Sequence, residues 1–148
     1  MFKKIFKKLF RKNQDTSISF KQGFDLTDLP VITLYQGEKK FNFILDTGST
    51  HSVINRDVLK QLEYNERPGH GELVGMEGNP VKTSVCDITF SYKDIQFSYT
   101  YMVNDLSAVF ETIKRNSGVN LHGVIGSRFF NEYKYVLDFD ELIAYSKA

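Results

Sequence analysis

The sequence predicts an all-β domain with short helices, and three observations lead there. Thr, Val and Ile recur between polar residues. Aromatics are plentiful, with 13 Phe and 8 Tyr but no Trp. A hairpin pattern is written plainly at the start of the folded part: Val31 to Tyr35, the turn Gln36-Gly37-Glu38-Lys39, then Lys40 to Leu45 in alternation.

The second of these strands runs directly into Asp46-Thr47-Gly48-Ser49. Ser52 to Ile54 reads as another short strand, and Arg56 to Leu62 as a brief helix with Asn55 as its N-cap. Gly71 to Met76 and Pro80 to Phe90 flank a turn at Glu77-Gly78-Asn79, and Ile95 to Val103 continues the β pattern. Asp105 to Lys114 is predicted helical. Gly123 to Gly126 is predicted as a buried strand, Ser127 to Glu132 as a short helix, and Tyr133 to Asp138 with Leu142 to Ser146 as a closing hairpin.

Length and composition fit one domain: 148 residues, 41% hydrophobic and 25% charged, enough for a real core but short for two. The chain divides into a basic amphipathic segment at 1–12, a linker and lead-in at 13–29, and the folded domain at 30–148. In the first segment Phe2, Ile5, Phe6, Leu9 and Phe10 fall at helical spacing, and Lys3, Lys4, Lys7, Lys8, Arg11 and Lys12 fill the gaps. That pattern suits an anionic membrane surface or a docking partner, not a signal peptide, because lysines interrupt every apolar run. Nothing approaches the roughly 20 apolar residues of a membrane-spanning helix. Taking the six tail cations from the net +1 leaves the remainder at −5, so the folded part has no electrostatic reason to bind nucleic acid.

Cys86 is the single cysteine, cannot form an internal disulfide, and reads as a packing residue. His51, His70 and His122 lack zinc-like spacing and read as surface or loop histidines, so no metal or other cofactor is expected. Neither a Ser-His-Asp arrangement in its elbow context nor a phosphate-binding glycine loop is present.

Chemistry is concentrated in Phe43-Ile44-Leu45-Asp46-Thr47-Gly48-Ser49-Thr50, where an apolar strand delivers one carboxylate into a tight turn. Gly48 lets the backbone come close to that carboxylate, N–H groups of the turn can hydrogen-bond its ionised form, and Ser49 can donate a further bond. This segment resembles the catalytic motif of retroviral-type and pepsin-type aspartic peptidases. Further features follow in the order of that family. Val74-Gly75-Met76-Glu77-Gly78-Asn79 resembles the flap, Val124-Ile125-Gly126 before a short helix resembles the apolar-apolar-Gly segment beside the catalytic turn, and Tyr135 through Tyr145 resembles the terminal hairpin. The likeness spans Pro30 to Ser146. It differs from viral members in Thr50-His51, where they usually carry two Asp residues, so Arg128 lacks its expected partner; cellular or bacterial retropepsin-like proteins are the nearer comparison.

The resemblance implies a closed, barrel-like retropepsin fold with one lobe per chain. It implies Asp46 as the catalytic carboxylate, Thr47, Gly48 and Ser49 as support for its turn, Gly75, Met76, Glu77 and Gly78 as the cover over substrate, and Val124, Ile125 and Gly126 as packing beside the site. Only one Asp-Thr-Gly occurs, so a homodimer is needed to bring two carboxylates together on a peptide or protein substrate. The expected protein is cytoplasmic, peripheral on a membrane if residues 1–12 bind one. The rivals are a catalytically silent peptide-binding or scaffold domain of the same fold, and a membrane-surface protein with an incidental β domain.

Overall fold

The structure, a computed structural model, describes residues 17–74 and 78–148. The basic segment at 1–12 therefore lies outside the described residues, as do Gly75, Met76 and Glu77.

Among the described residues nine strands follow one another: β1 (Val31–Gln36), β2 (Lys39–Asp46), β3 (Val53–Asn55), β4 (Asn65–Val74), β5 (Pro80–Tyr92), β6 (Ile95–Asn104), β7 (Gly123–Gly126), β8 (Tyr135–Asp138) and β9 (Ile143–Ser146). Neighbours run β1-β2-β7-β3-β6-β5, and a further pairing of Tyr35 with Ser91 joins β5 back to β1, closing a six-stranded barrel. Closure removes sheet edges, which would otherwise template pairing with other chains. β4 lies outside the barrel on β5, and β8 with β9 makes a separate hairpin.

Alternation along the strands fills the interior. Phe41, Phe43 and Leu45 of β2 point inward with Ile88 and Phe90 of β5 and Phe97 and Tyr101 of β6, and all are almost fully buried. Edge-to-face contacts join Phe43 to Phe90 at 5.1 Å and Phe90 to Tyr101 at 5.8 Å between ring centres. Such geometry suits the ring quadrupole and adds to area burial. Cys86 belongs to this core, where burial first, then Asp87 and Glu66, push its thiol up to about 11; it is a packing thiol.

A second, smaller core lies on the other face of β2 and β7. Ile18, Val31, Phe110, Val119 and Leu121 are buried there, with Ile44 and Val124 packed against them. Two helices cover it. One, α1 (Phe20–Thr27), falls inside the segment read from sequence as linker and lead-in. Ser19 and Gln22 form a reciprocal capping box, Ile18 and Phe20 are buried, and Gly23 sits so close to Val31 that a Cβ would lie 2.8 Å from its Cβ and carbonyl oxygen. Replacing Ser19 by Ala is expected to cost about 1 kcal/mol by stranding an N–H of the first turn, measured as a lower denaturant midpoint at unchanged slope.

The other covering helix, α2 (Ser107–Ser117), starts two residues later than the sequence suggests. Asp105 turns its carboxylate back to accept from the Ser107 N–H, a bond that belongs to a turn and holds Asp105 outside the helix. Asn55 also departs from expectation. It stands at the N-cap position of a 3-10 helix (Arg56–Gln61), but its side chain makes no cap bond there. Its Oδ1 instead accepts from the Leu106 N–H at 2.9 Å, tying β3 to the approach of α2. The last helix, α3 (Ser127–Glu132), is anchored by buried Phe129 and Phe130 and begins directly where β7 ends.

Candidate active site

β2 and β7 run parallel, pairing Phe43, Ile44, Leu45 and Asp46 with Gly123, Val124, Ile125 and Gly126 in order. Asp46 is thus the last rung of a buried ladder, and its own side chain emerges exposed, as do Thr47 and Gly48. Two backbone donors shape the turn. The Gly48 N–H donates to Asp46 Oδ1 at 2.9 Å, and the Ser49 N–H donates to the Asp46 carbonyl at 3.2 Å.

The following loop is stitched to the β7–α3 junction. Ser127 N–H donates to the Ser49 carbonyl at 2.7 Å, Arg128 N–H to the Thr50 carbonyl at 3.4 Å, and Gly126 N–H to the buried Ser52 hydroxyl at 3.0 Å. Contact at Gly126 is so close that a Cβ there would lie 2.4 Å from the His51 carbonyl oxygen and 2.8 Å from that of Ser49. Of the three packing residues, Ile125 is fully buried in the barrel, Val124 packs into the smaller core, and Gly126 touches the turn itself.

Ser49 differs from the expectation that it donates toward the carboxylate. Its hydroxyl donates to the His51 carbonyl at 2.8 Å, closing the loop on itself. The support it gives is to backbone shape, and a direct effect of this hydroxyl on the charge of Asp46 does not follow. His51 is half-buried beside it, and its imidazole is held below the usual histidine range by burial first and then by the Arg128 charge. Arg128 thus faces a histidine where the viral pattern has a carboxylate.

A cleft of about 620 Å³ opens over the turn, lined by Asp46, Gly48, Ser49, Thr50 and His51 on one side and Glu72, Leu73 and Val74 on the other. The end of β4, the strand leading into 75–77, therefore stands across from the carboxylate. Gly78, the next described residue after Val74, is exposed at φ 80°, a left-handed turn conformation that suits glycine. A larger cleft, about 750 Å³, lies on the outer face of β5 and β6, and none of the candidate site residues lines it. Its hydroxyls bond their own neighbours, Thr89 Oγ1 to Ser98 Oγ at 2.8 Å and Thr100 Oγ1 to Asp87 Oδ1 at 2.6 Å. Among the described residues, no group of three or more His, Cys, Asp or Glu is placed to hold a metal ion.

His122 lies in the loop just before β7, as the sequence allows, but it is not at the surface: it is 9% exposed. An apolar residue on one side, Leu121, and Gly123 on the other signal burial, but nothing local shows which partner the ring meets.

The aspartyl protease family model matches residues 32–129, a span that contains Asp46 and the β2–β7 ladder. That span runs from β1 into α3, and the chain belongs to this family; its fold is retropepsin-like. Among solved structures, the EIAV protease complexed with the inhibitor HBY-793 is similar at 20% identity and TM-score 0.55, covering 75% of this chain and 93% of that one. The retroviral protease-like domain of Ddi1 from Leishmania major is similar at 10% identity and TM-score 0.52, covering 80% and 86%. Both share the closed barrel with its short helices. No curated protein sequence matches the chain.

Proposed function

We propose that the protein is an aspartic endopeptidase working as a homodimer, which hydrolyses peptide bonds with a water activated between Asp46 of one protomer and Asp46 of its partner. The observation that carries this reading is the exposure of Asp46 on the floor of a cleft, with one oxygen held by the Gly48 N–H and the backbone behind it fixed by the β2–β7 ladder. One chain offers one such carboxylate. Two brought together across a two-fold axis cannot both ionise cheaply, so they share a proton, an effect for which aspartic proteases are the standard example. The ionised member takes a proton from water as it attacks, and the protonated member donates to the substrate carbonyl oxygen.

Thr47 and Gly48 hold the turn in this scheme, Ser49 fixes the loop through His51, and Gly75 to Gly78 close over the substrate from the end of β4. The test is incubation of the purified protein with a diverse peptide library from acid to neutral pH, beside Asp46→Ala. Cleavage by the wild type alone is expected, with specific activity falling once the protein is diluted below the dimer dissociation constant. Peptide binding without turnover at any concentration would instead mark a silent binding or scaffold domain.

The tail adds a location to this reading: reversible attachment to an anionic membrane surface from the cytoplasmic side. Its support is the apolar and cationic spacing of residues 2–12. Full-length protein is expected to sediment with phosphatidylserine-containing vesicles at low salt and to be released at high salt; equal binding by protein lacking residues 1–12 contradicts it.

A further inference from the structure

The β2–β7 ladder that ends at Asp46 and Gly126 has a titratable group at its other end. Asn42 stands four residues before Asp46 on β2, and His122 four residues before Gly126 at the foot of β7. Three hydrogen bonds fasten them. The Asn42 N–H donates to His122 Nδ1 at 2.8 Å, the His122 N–H donates to the Asn42 carbonyl at 2.8 Å, and the Asn55 N–H of β3 donates to the His122 carbonyl at 2.9 Å. Asn42 is itself fixed on both sides, its Oδ1 accepting from Thr33 Oγ1 at 2.7 Å and its Nδ2 donating to the Asn120 carbonyl at 2.9 Å. The Phe41 ring meets the imidazole edge-on at 5.3 Å.

Nδ1 can accept from a backbone N–H only while it carries no proton. Protonation would set a donor against a donor in a buried place, and the ring or the strand must then move. We propose that His122 is a positioning residue for the Asp46 turn, and that its protonation in acid loosens the β2–β7 ladder and with it the turn.

The groups facing the ring, Phe41 and Asn42 of β2 and Asn55 of β3, are uncharged, and among the described residues no ion pair holds the imidazolium. Burial lowers the pKa of His122 to about 4. A backbone partner accepting from the ring would raise it, but the partner at Nδ1 is an N–H, and a donor there favours the neutral ring. The folded pKa lies below the unfolded value of about 6.5, so the unfolded chain binds the proton first. This contribution to stability is present in full above about pH 6.5 and is lost as pH falls toward 4.

His122→Asn tests this, because its Oδ1 can take the place of Nδ1 and cannot be protonated in this range. Between pH 6.5 and 4 the unfolding equilibrium constant of the wild type should rise on the order of a hundredfold more than that of the variant. In solution NMR the Gly48 amide should show a pH-dependent shift that follows the His122 ring in the wild type and is missing from the variant; any pH response common to both proteins is set aside. Equal stability profiles, or identical Gly48 titrations, would overturn the proposal. Should His122→Asn not fold, the wild-type ring decides alone: titration near the ordinary 6.5 with the Gly48 amide undisturbed also overturns it. The link to catalysis rests on the proposed role of Asp46, but neither readout needs peptidase activity, so the failure of one reading is distinguishable from failure of the other.

Discussion

Asp46→Asn is expected to lower peptide hydrolysis by roughly 10⁴-fold or more while leaving the fold intact. Asparagine has the shape of aspartate, and its Oδ1 can still accept the Gly48 N–H that Asp46 Oδ1 accepts at 2.9 Å. The turn is exposed, so no buried charge is left stranded, and stability should change by less than about 0.5 kcal/mol. What disappears is the ability to share a proton across the dyad and to take one from water. A homodimer of the variant has two amides where the reaction needs one acid and one base. Steady-state cleavage of a peptide found in the library, measured beside thermal unfolding, separates this loss of chemistry from loss of structure.

Gly126→Ala should also be severe, for a different reason. The added Cβ would meet the His51 carbonyl oxygen at 2.4 Å, its carbon at 2.6 Å and the Ser49 carbonyl oxygen at 2.8 Å, all backbone atoms that cannot swing away. Relief requires β7 or the 49–52 loop to shift, at a cost of about 3 kcal/mol in stability. Since Gly126 is the register partner of Asp46, the shift reaches the carboxylate directly. A misplacement of about 1 Å is enough to cost on the order of 10²-fold in rate. The expected result is therefore a folded but weaker protein whose kcat falls far more than its stability alone explains, read from kinetics well below its melting temperature. Normal kcat in a folded variant would show that the loop can move without the turn.

Much of this arrangement is legible in the residues. The β1–β2 hairpin is announced by alternation and a Gly-containing turn, and it delivers Asp46 where the sequence predicts, because a buried strand with Phe41, Phe43 and Leu45 on one face admits one register only. β7 and α3 are also predicted at their observed bounds, since an apolar run ending in Gly before two Phe residues leaves few alternatives. Features that depend on distant partners are not legible. α1 escapes notice because it is only eight residues long, although the Ser19 to Gln22 spacing of a capping box is present. The direction of the Ser49 hydroxyl is set by where the loop brings the His51 carbonyl, and the role of Asn55 by the arrival of Leu106 from 51 residues away. His122 shows the same limit, for its ring is defined by Asn42, 80 residues distant in sequence.

The central claim, that catalysis needs one Asp46 from each of two chains, is tested most directly by titrating a fixed amount of wild type with Asp46→Asn under conditions where subunit exchange is demonstrated by mass or fluorescence. A mixed dimer keeps the geometry of the turn but replaces one ionisable carboxylate with an amide and cannot share the proton. Activity per wild-type chain should fall in proportion to the wild-type fraction of the exchanging pool. Activity per wild-type chain that stays constant as the variant is added, despite proven exchange, would contradict the shared site and show that a single chain carries out whatever chemistry is measured.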